Sequence, residues 1–277
     1  MRHQSVLAFA RYRYLKLAAA LVVTAIAAYA WHRPPNGAYG GTWLGYTLGT
    51  IGALLVVLLL YYGVRKRRFA STAGTLRGWL SAHVYLGTAL IVVATLHAAF
   101  QVGWNVHTLA YALMLAVIVS GFFGVYAYLL YPPLMTDNLG EDTLELLLIK
   151  ITDIDRQARQ LALSLPDDIN ELVLAAAQRT TIGGSSWRQL RGTDARCPTT
   201  TAIASVQTIG RTLAGEQAKT NHQLYVLLLK KQELLARARR DVQLKALLDI
   251  WLYFHVPLSI ALLVALSAHI VSVFFYW

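Results

Sequence analysis

The third apolar stretch of the chain reads WLSAHVYLGTALIVVATLHAAF, residues 79–100, and it carries His83 and His97 fourteen positions apart. On a helix with about 3.6 residues per turn, fourteen residues come back to within about 40° of the starting direction and rise about 21 Å. Both imidazoles therefore project from one side, separated by most of a hydrocarbon core of about 30 Å. The last apolar stretch, 250–276, repeats the arrangement with His255 and His269, also fourteen apart.

Composition places the chain among integral membrane proteins. Of its 277 residues, 56% are hydrophobic and 14% are charged, and soluble domains have about 25% charged residues. The formal net charge is +11. The basic side chains cluster at the ends of apolar stretches, where they orient a membrane protein, so we expect no nucleic-acid partner.

Several cofactor classes are excluded by the residues that the chain lacks. Cys197 is the single cysteine, so there is no internal disulfide. The chain has no Cys-x-x-Cys-His site for covalently attached haem, nor the four thiolates that usually hold an iron–sulfur cluster. It also lacks the glycine-rich loops that bind nucleotide phosphates.

Five apolar stretches predict five transmembrane helices, and basic residues predict their orientation. The basic N-terminus, the loop 65–78 and the segment 132–249 are expected in the cytoplasm of a bacterial-type inner (cytoplasmic) membrane, with the C-terminus outside. The first stretch has a second interpretation as a cleaved signal peptide, because Ala28-Tyr29-Ala30 resembles a signal-peptidase site. The fourth is expected to end at Tyr131, before two prolines. The predicted spans are 17–31, 43–64, 79–100, 108–130 and 250–276.

The domain organisation follows from these spans. Residues 1–131 hold transmembrane helices one to four, residues 132–249 form a cytoplasmic insertion, and residues 250–277 hold the fifth. Apolar residues at alternating spacings of three and four run from Leu144 to Leu161, and a looser version runs from Leu224 to Val242. These patterns predict an antiparallel helical hairpin. The stretch from Thr180 to Thr201 is rich in Gly, Ser, Thr and Arg and is expected to be loop.

The four histidines of spans three and five form two predicted pairs. One span separates the two helices, so they run parallel, which pairs His83 with His255 and His97 with His269. A lone membrane histidine more often hydrogen-bonds to a neighbouring helix. Two matched pairs at matched depths instead favour axial ligation of iron by neutral imidazoles. The fold class expected is an all-α integral membrane protein, with five transmembrane helices forming a bundle for two b haems and a cytoplasmic helical-hairpin insertion.

Three further features are candidates for cofactor binding. Gly87 lies one turn after His83 and leaves space for a porphyrin edge. Arg65 to Arg68 and Arg77 lie where the propionates of the cytoplasmic haem are expected, although topology alone explains most of these charges. His107 opens span four near the depth of His97, and it has four interpretations: a replacement ligand for His269, a propionate partner, a proton carrier near a quinone, or a plain interfacial histidine.

This histidine layout resembles the transmembrane core of ferric reductases and NADPH oxidases, where the third and fifth spans each carry two histidines 13 or 14 residues apart. The b subunit of bc complexes uses similar two-helix ligation. The resemblance implies His83, His97, His255 and His269 as axial ligands of two haem b groups. It covers about 79–131 and 250–276.

The chain departs from that resemblance in having no sixth span and no flavin or NADPH domain after the fifth. We therefore expect an electron-transport subunit of an oxidoreductase complex, with soluble or membrane redox partners that include an iron–sulfur or flavin protein. Quinone is a further candidate partner. Two alternatives remain: a quinone-reactive respiratory subunit, and a haem-free membrane anchor for a soluble partner.

Overall fold

The computed structural model describes residues 6–35, 37–67, 74–192 and 197–275, and this part of the chain contains helices and no strand. The all-α class is confirmed, and five of the described helices are long and apolar enough to cross a membrane, which agrees with the five predicted spans. A short 3-10 turn, Val6–Ala8, precedes the helices. The helices are α1 (Arg13–Trp31), α2 (Trp43–Arg67), α3 (Leu76–His97), α4 (Val106–Leu139), α5 (Leu144–Ala162), α6 (Asp167–Arg179), α7 (Ser186–Arg191), α8 (Pro198–Gly210) and α9 (Gly215–Phe275).

The chain divides into two compact units. The first contains Met1–Val125 together with Trp251–Trp277, and the second contains Tyr126–Ile250. Helices α4 and α9 contribute residues to both units. The two pairs of histidines belong to the first unit.

Helix α3 lies at the centre of the first unit. At one level Val93 and Leu96 of α3 pack with Leu48 of α2 and Ala25 of α1. At another level the α3 residue Leu90 packs with side chains from three helices, and the members of that cluster are Val56 of α2, Met114 of α4 and Leu262 of α9. The apolar side chains of α2, α3, α4 and α9 thus form one continuous contact region.

Helix α4 continues beyond the end predicted for it. It passes through Pro132 and Pro133 and ends at Leu139. Its last carbonyls have a side-chain partner, because the guanidinium of Arg237 donates to Asn138 O at 2.9 Å and to Leu139 O at 2.5 Å. Gly140 then adopts a φ of 63°, which ends the helix as glycine commonly does. The prediction of a stop at the prolines was wrong because it could not include this cap.

The second unit has more helices than a hairpin. Leu147 and Ile151 of α5 pack with Leu235 and Ala238 of α9, and Ala158 packs further back along α9. Helix α5 and this part of α9 therefore run antiparallel. Helices α6, α7 and α8 lie between them in sequence. The stretch predicted as loop, 180–201, includes all of α7, and α8 begins within it at Pro198, where proline suits a first helical position.

Candidate functional site

The histidines of α3 and α9 approach each other at two levels of the first unit. The ring centroids of His97 and His269 are 5.9 Å apart. His83 and His255 are near enough to interact electrostatically. Because the pairs occur in the same order along both helices, α3 and α9 run in the same direction here.

Helix α2 holds both histidines of α3 through backbone carbonyls. Nδ1 of His83 lies 3.2 Å from Leu59 O, and Nδ1 of His97 lies 2.8 Å from Gly45 O. Leu59 and Gly45 are fourteen residues apart, as the two histidines are. A carbonyl oxygen only accepts hydrogen bonds, so Nδ1 of each imidazole carries the proton. The neutral tautomer then keeps a lone pair on Nε2.

Helix α4 holds both histidines of α9, in this case through side chains. Ser120 Oγ lies 2.7 Å from Nδ1 of His255, and the same hydroxyl donates to Val117 O at 2.8 Å. Its one proton is therefore used, so Ser120 accepts from His255 Nδ1–H and leaves Nε2 with the lone pair. At the other level, Nδ1 of His269 hydrogen-bonds to Nδ1 of His107.

The chemistry of this set suits metal ligation through Nε2. Within the described ranges, Nε2 of these four histidines makes no hydrogen bond. A metal-ligating histidine usually donates its other ring N–H to a carbonyl, hydroxyl or carboxylate, which fixes ring orientation. The described residues contain no group of three or more His, Cys, Asp or Glu side chains that could hold a metal ion by themselves. A haem needs only two protein ligands on its axis, because the porphyrin supplies four nitrogens.

At the level of His269, the ring separations distinguish a pair that would fit on opposite sides of one metal from a pair in direct contact. With metal–nitrogen distances of about 2.0–2.1 Å, two imidazoles on opposite sides of one metal have centroids about 6 Å apart. His97 and His269 have that separation, at 5.9 Å. His107 and His269 are closer, at 4.5 Å, and are joined through Nδ1. His107 therefore contacts the edge of His269 that a ligand would turn away from the metal.

A glycine of α2 gives one imidazole the room that it needs, whereas a glycine of α4 only borders another. A Cβ added at Gly49 would lie 2.7 Å from Cε1 of His97, which is far inside van der Waals contact. A Cβ at Gly121 would lie 3.7 Å from Cε1 of His255, an ordinary contact. The ring of His97 therefore occupies space that exists only because residue 49 has no side chain.

Aromatic side chains border the level of His83 and His255. The ring of Tyr62 lies 5.1 Å from that of His83, and the ring of Trp251 lies 5.1 Å from that of His255. Trp251 also donates its Nε1–H to Ser120 O at 2.7 Å. Ser120 is thus bound to two residues of α9 that are one turn apart, which fixes the approach of α4 to α9.

The other predicted site residues lie on the α2–α3 side. Gly87 is buried and faces Leu59, whose Cδ1 would be 3.8 Å from an added Cβ, so it takes part in the contact of α3 with α2. Arg77 is half-buried in the first turn of α3. Arg65 is buried and donates to Gly74 O at 2.8 Å. Arg68 lies outside the described residues.

Sequence reasoning missed the hydrogen-bond partners of the histidines. Gly45 and Leu59 act through backbone carbonyls, which no residue type reveals. Ser120 had a usable signal, because it lies thirteen residues after His107 on α4, close to the spacing of the histidines themselves. Two polar residues at that spacing in an apolar helix indicate contacts at both levels.

The chain has no match among protein-family models, curated proteins or solved structures.

Proposed function

We propose that this chain carries electrons across a membrane through two bis-histidine b haems, as the membrane subunit of a redox complex. His83 with His255 hold one haem, and His97 with His269 hold the other. One observation carries the proposal: each of the four imidazoles is fixed through Nδ1 while Nε2 makes no hydrogen bond in the described part of the chain.

The protein's contribution is to hold and tune the ligands. Bound haem supplies a reversible one-electron change at its iron. The carbonyls of α2 and the side chains of α4 fix the tautomer and ring plane of each histidine, which raises ligand basicity and tunes the potential. With both axial positions filled by histidine, no iron position is open to a substrate, so this chain acts as a conduit.

Partners and orientation complete the proposal. By the positive-inside rule, the basic loops favour a cytoplasmic N-terminus, a cytoplasmic segment 132–249 and an external C-terminus, in a bacterial-type inner membrane. The helical second unit is then the docking surface for a soluble redox partner, with an iron–sulfur or flavin protein as the expected class. Electron transfer links this partner to an acceptor or donor at the outer surface.

The decisive experiment is a haem titration of the full-length purified chain. A dithionite-reduced minus oxidised spectrum is expected to show b-type bands, with about two haems per chain. His83→Ala and His269→Ala are each expected to lose one haem and to leave the other bound. Chain that folds and contains no haem refutes the proposal and supports the membrane-anchor alternative.

A quinone-reactive subunit is the second candidate, and the position of His107 favours it. This histidine is exposed, opens α4 and touches His269, so a quinone bound there would have a proton-carrying group beside a haem ligand. Inhibitors of quinone sites are expected to shift the spectrum of one haem if this candidate is correct. An unchanged spectrum with saturating inhibitor rules it out.

A further inference from the structure

The hydrogen bond between His107 and His269 assigns a role to His107 that the sequence did not suggest. Both atoms in this bond are Nδ1, so one ring donates and the other accepts. If His269 were the acceptor, its proton would be on Nε2, and that nitrogen could not bind a metal. If His269 is the donor, Nε2 keeps its lone pair. Ligation by His269 therefore requires His107 to accept at Nδ1 and to carry its own proton on Nε2.

We propose that His107 is a positioning residue for the outer haem, which accepts the Nδ1–H of His269 and thereby fixes its tautomer and lowers the potential of that haem. This inference rests on the proposed dihaem function. An imidazole nitrogen that accepts from the ligand's N–H increases the basicity of the ligand, and a more basic ligand favours ferric iron. His107 is then neither an axial ligand nor a propionate partner.

The other level of the site provides the structural parallel. Ser120, also on α4, accepts from Nδ1 of His255 at 2.7 Å. One helix thus supplies the acceptor for each of the two histidines on α9. The acceptors differ in kind, a hydroxyl at one level and an imidazole at the other, so the two histidine pairs would give their haems different ligand environments.

The test compares His107→Leu with His107→Asn in the full-length chain. Leucine removes the acceptor, whereas asparagine places Oδ1 near the position of Nδ1 and restores it. His107→Leu is expected to retain the outer haem with about 10–100-fold weaker affinity, to raise one of the two midpoint potentials and to change one low-spin electron paramagnetic resonance signal. His107→Asn is expected to bring both readouts back towards wild type.

Two matched variants locate the effect. Ser120→Ala removes the corresponding acceptor and is expected to shift the other haem only. Ser267→Ala, on the exposed side of α9 near His269, is expected to leave both potentials unchanged, because within the described residues its hydroxyl bonds only to Leu263 O.

The outcomes separate this inference from the proposed function. A wild-type chain with fewer than two haems refutes the function itself. Two haems with potentials that His107→Leu leaves unchanged refute only the role of His107. Loss of one haem in both His107→Leu and His107→Asn also overturns the inference, because it makes His107 an axial ligand.

Discussion

Replacing Gly49 with alanine tests whether the imidazole of His97 is held as the structure describes. The new Cβ would lie 2.7 Å from Cε1 and 2.9 Å from Nδ1 of His97, where ordinary contact begins at 3.4 Å. The ring would have to withdraw by about 0.7 Å to relieve the contact. It is also tied to Gly45 O at 2.8 Å, and a withdrawal of that size directed away from this oxygen would stretch the bond to the limit of a hydrogen bond. Both constraints come from α2, so moving the helix does not satisfy them together.

The expected cost follows from this conflict. Overpacking a tight interior costs about 1–3 kcal/mol of folding free energy, and disturbing the hydrogen-bond partner of a metal ligand weakens metal affinity by about 10–100-fold. Gly49→Ala is therefore expected to lose or loosen one haem of two. The assay is haem per chain in the purified protein, followed by redox titration of the haem that remains.

Two other glycines serve as controls for this variant. A Cβ at the exposed Gly63, on the same helix, would meet nothing within 4 Å, and one at Gly121 would reach His255 at an ordinary 3.7 Å. Alanine at either position is expected to leave two haems bound. If Gly49→Ala binds two haems with wild-type potentials, the position assigned to the His97 ring is wrong.

Two predictions concern the second unit. Lys231 is 1% exposed and donates to Asp155 at 2.5 Å, so Lys231→Met is expected to lower the free energy of unfolding by about 3–5 kcal/mol. Lys219 forms an exposed pair with Glu216, and Lys219→Met is expected to cost only about 0–1 kcal/mol. Denaturant titration of the full chain measures both costs, and equal costs would contradict the buried pair. The hydrogen bond from Lys150 lowers the pKa of Asp142 below its ordinary 3.8. The stability that this carboxylate contributes is therefore present above pH 3.8 and is lost as the pH falls through the lowered pKa. The difference in unfolding free energy between wild type and Asp142→Asn should shrink over that pH range. A difference that grows as the pH falls would refute the lowered pKa.

The approach of His97 to His269 was accessible from sequence because it depends only on periodicity and topology. Fourteen residues restore nearly the same helix direction, and one intervening span makes α3 and α9 parallel. These two facts predict that His97 approaches His269, and the structure places their rings 5.9 Å apart. The number of spans was accessible for a similar reason, since each requires about 20 apolar residues that composition reveals directly.

The backbone hydrogen-bond partners of the histidines and the helix ends were not accessible, because they depend on contacts between distant segments. Gly45 O is an acceptor for His97 only through the register of α2 against α3, and any residue type has the same carbonyl. The continuation of α4 to Leu139 depends on Arg237, which is 98 positions away from it in sequence. The sequence predicts that His107 lies near the depth of His97, but the role of His107 depends on which nitrogen of His269 it contacts.

The register of the helices links the two levels of the site. His83 and His97 contact α2 at Leu59 and Gly45, and both contacts have the spacing that two antiparallel helices maintain when neither slips. A slip of one turn, about 5.4 Å, would break both bonds at once. The same holds for α4 against α9, where the partners are thirteen and fourteen residues apart. The orientation of the four imidazoles is therefore fixed within each antiparallel pair, α2 with α3 and α4 with α9, and in the proposed function each haem would be shared between the two pairs. A variant that shifts either register should consequently affect both haems, whereas a variant of a single Nδ1 partner should affect only one.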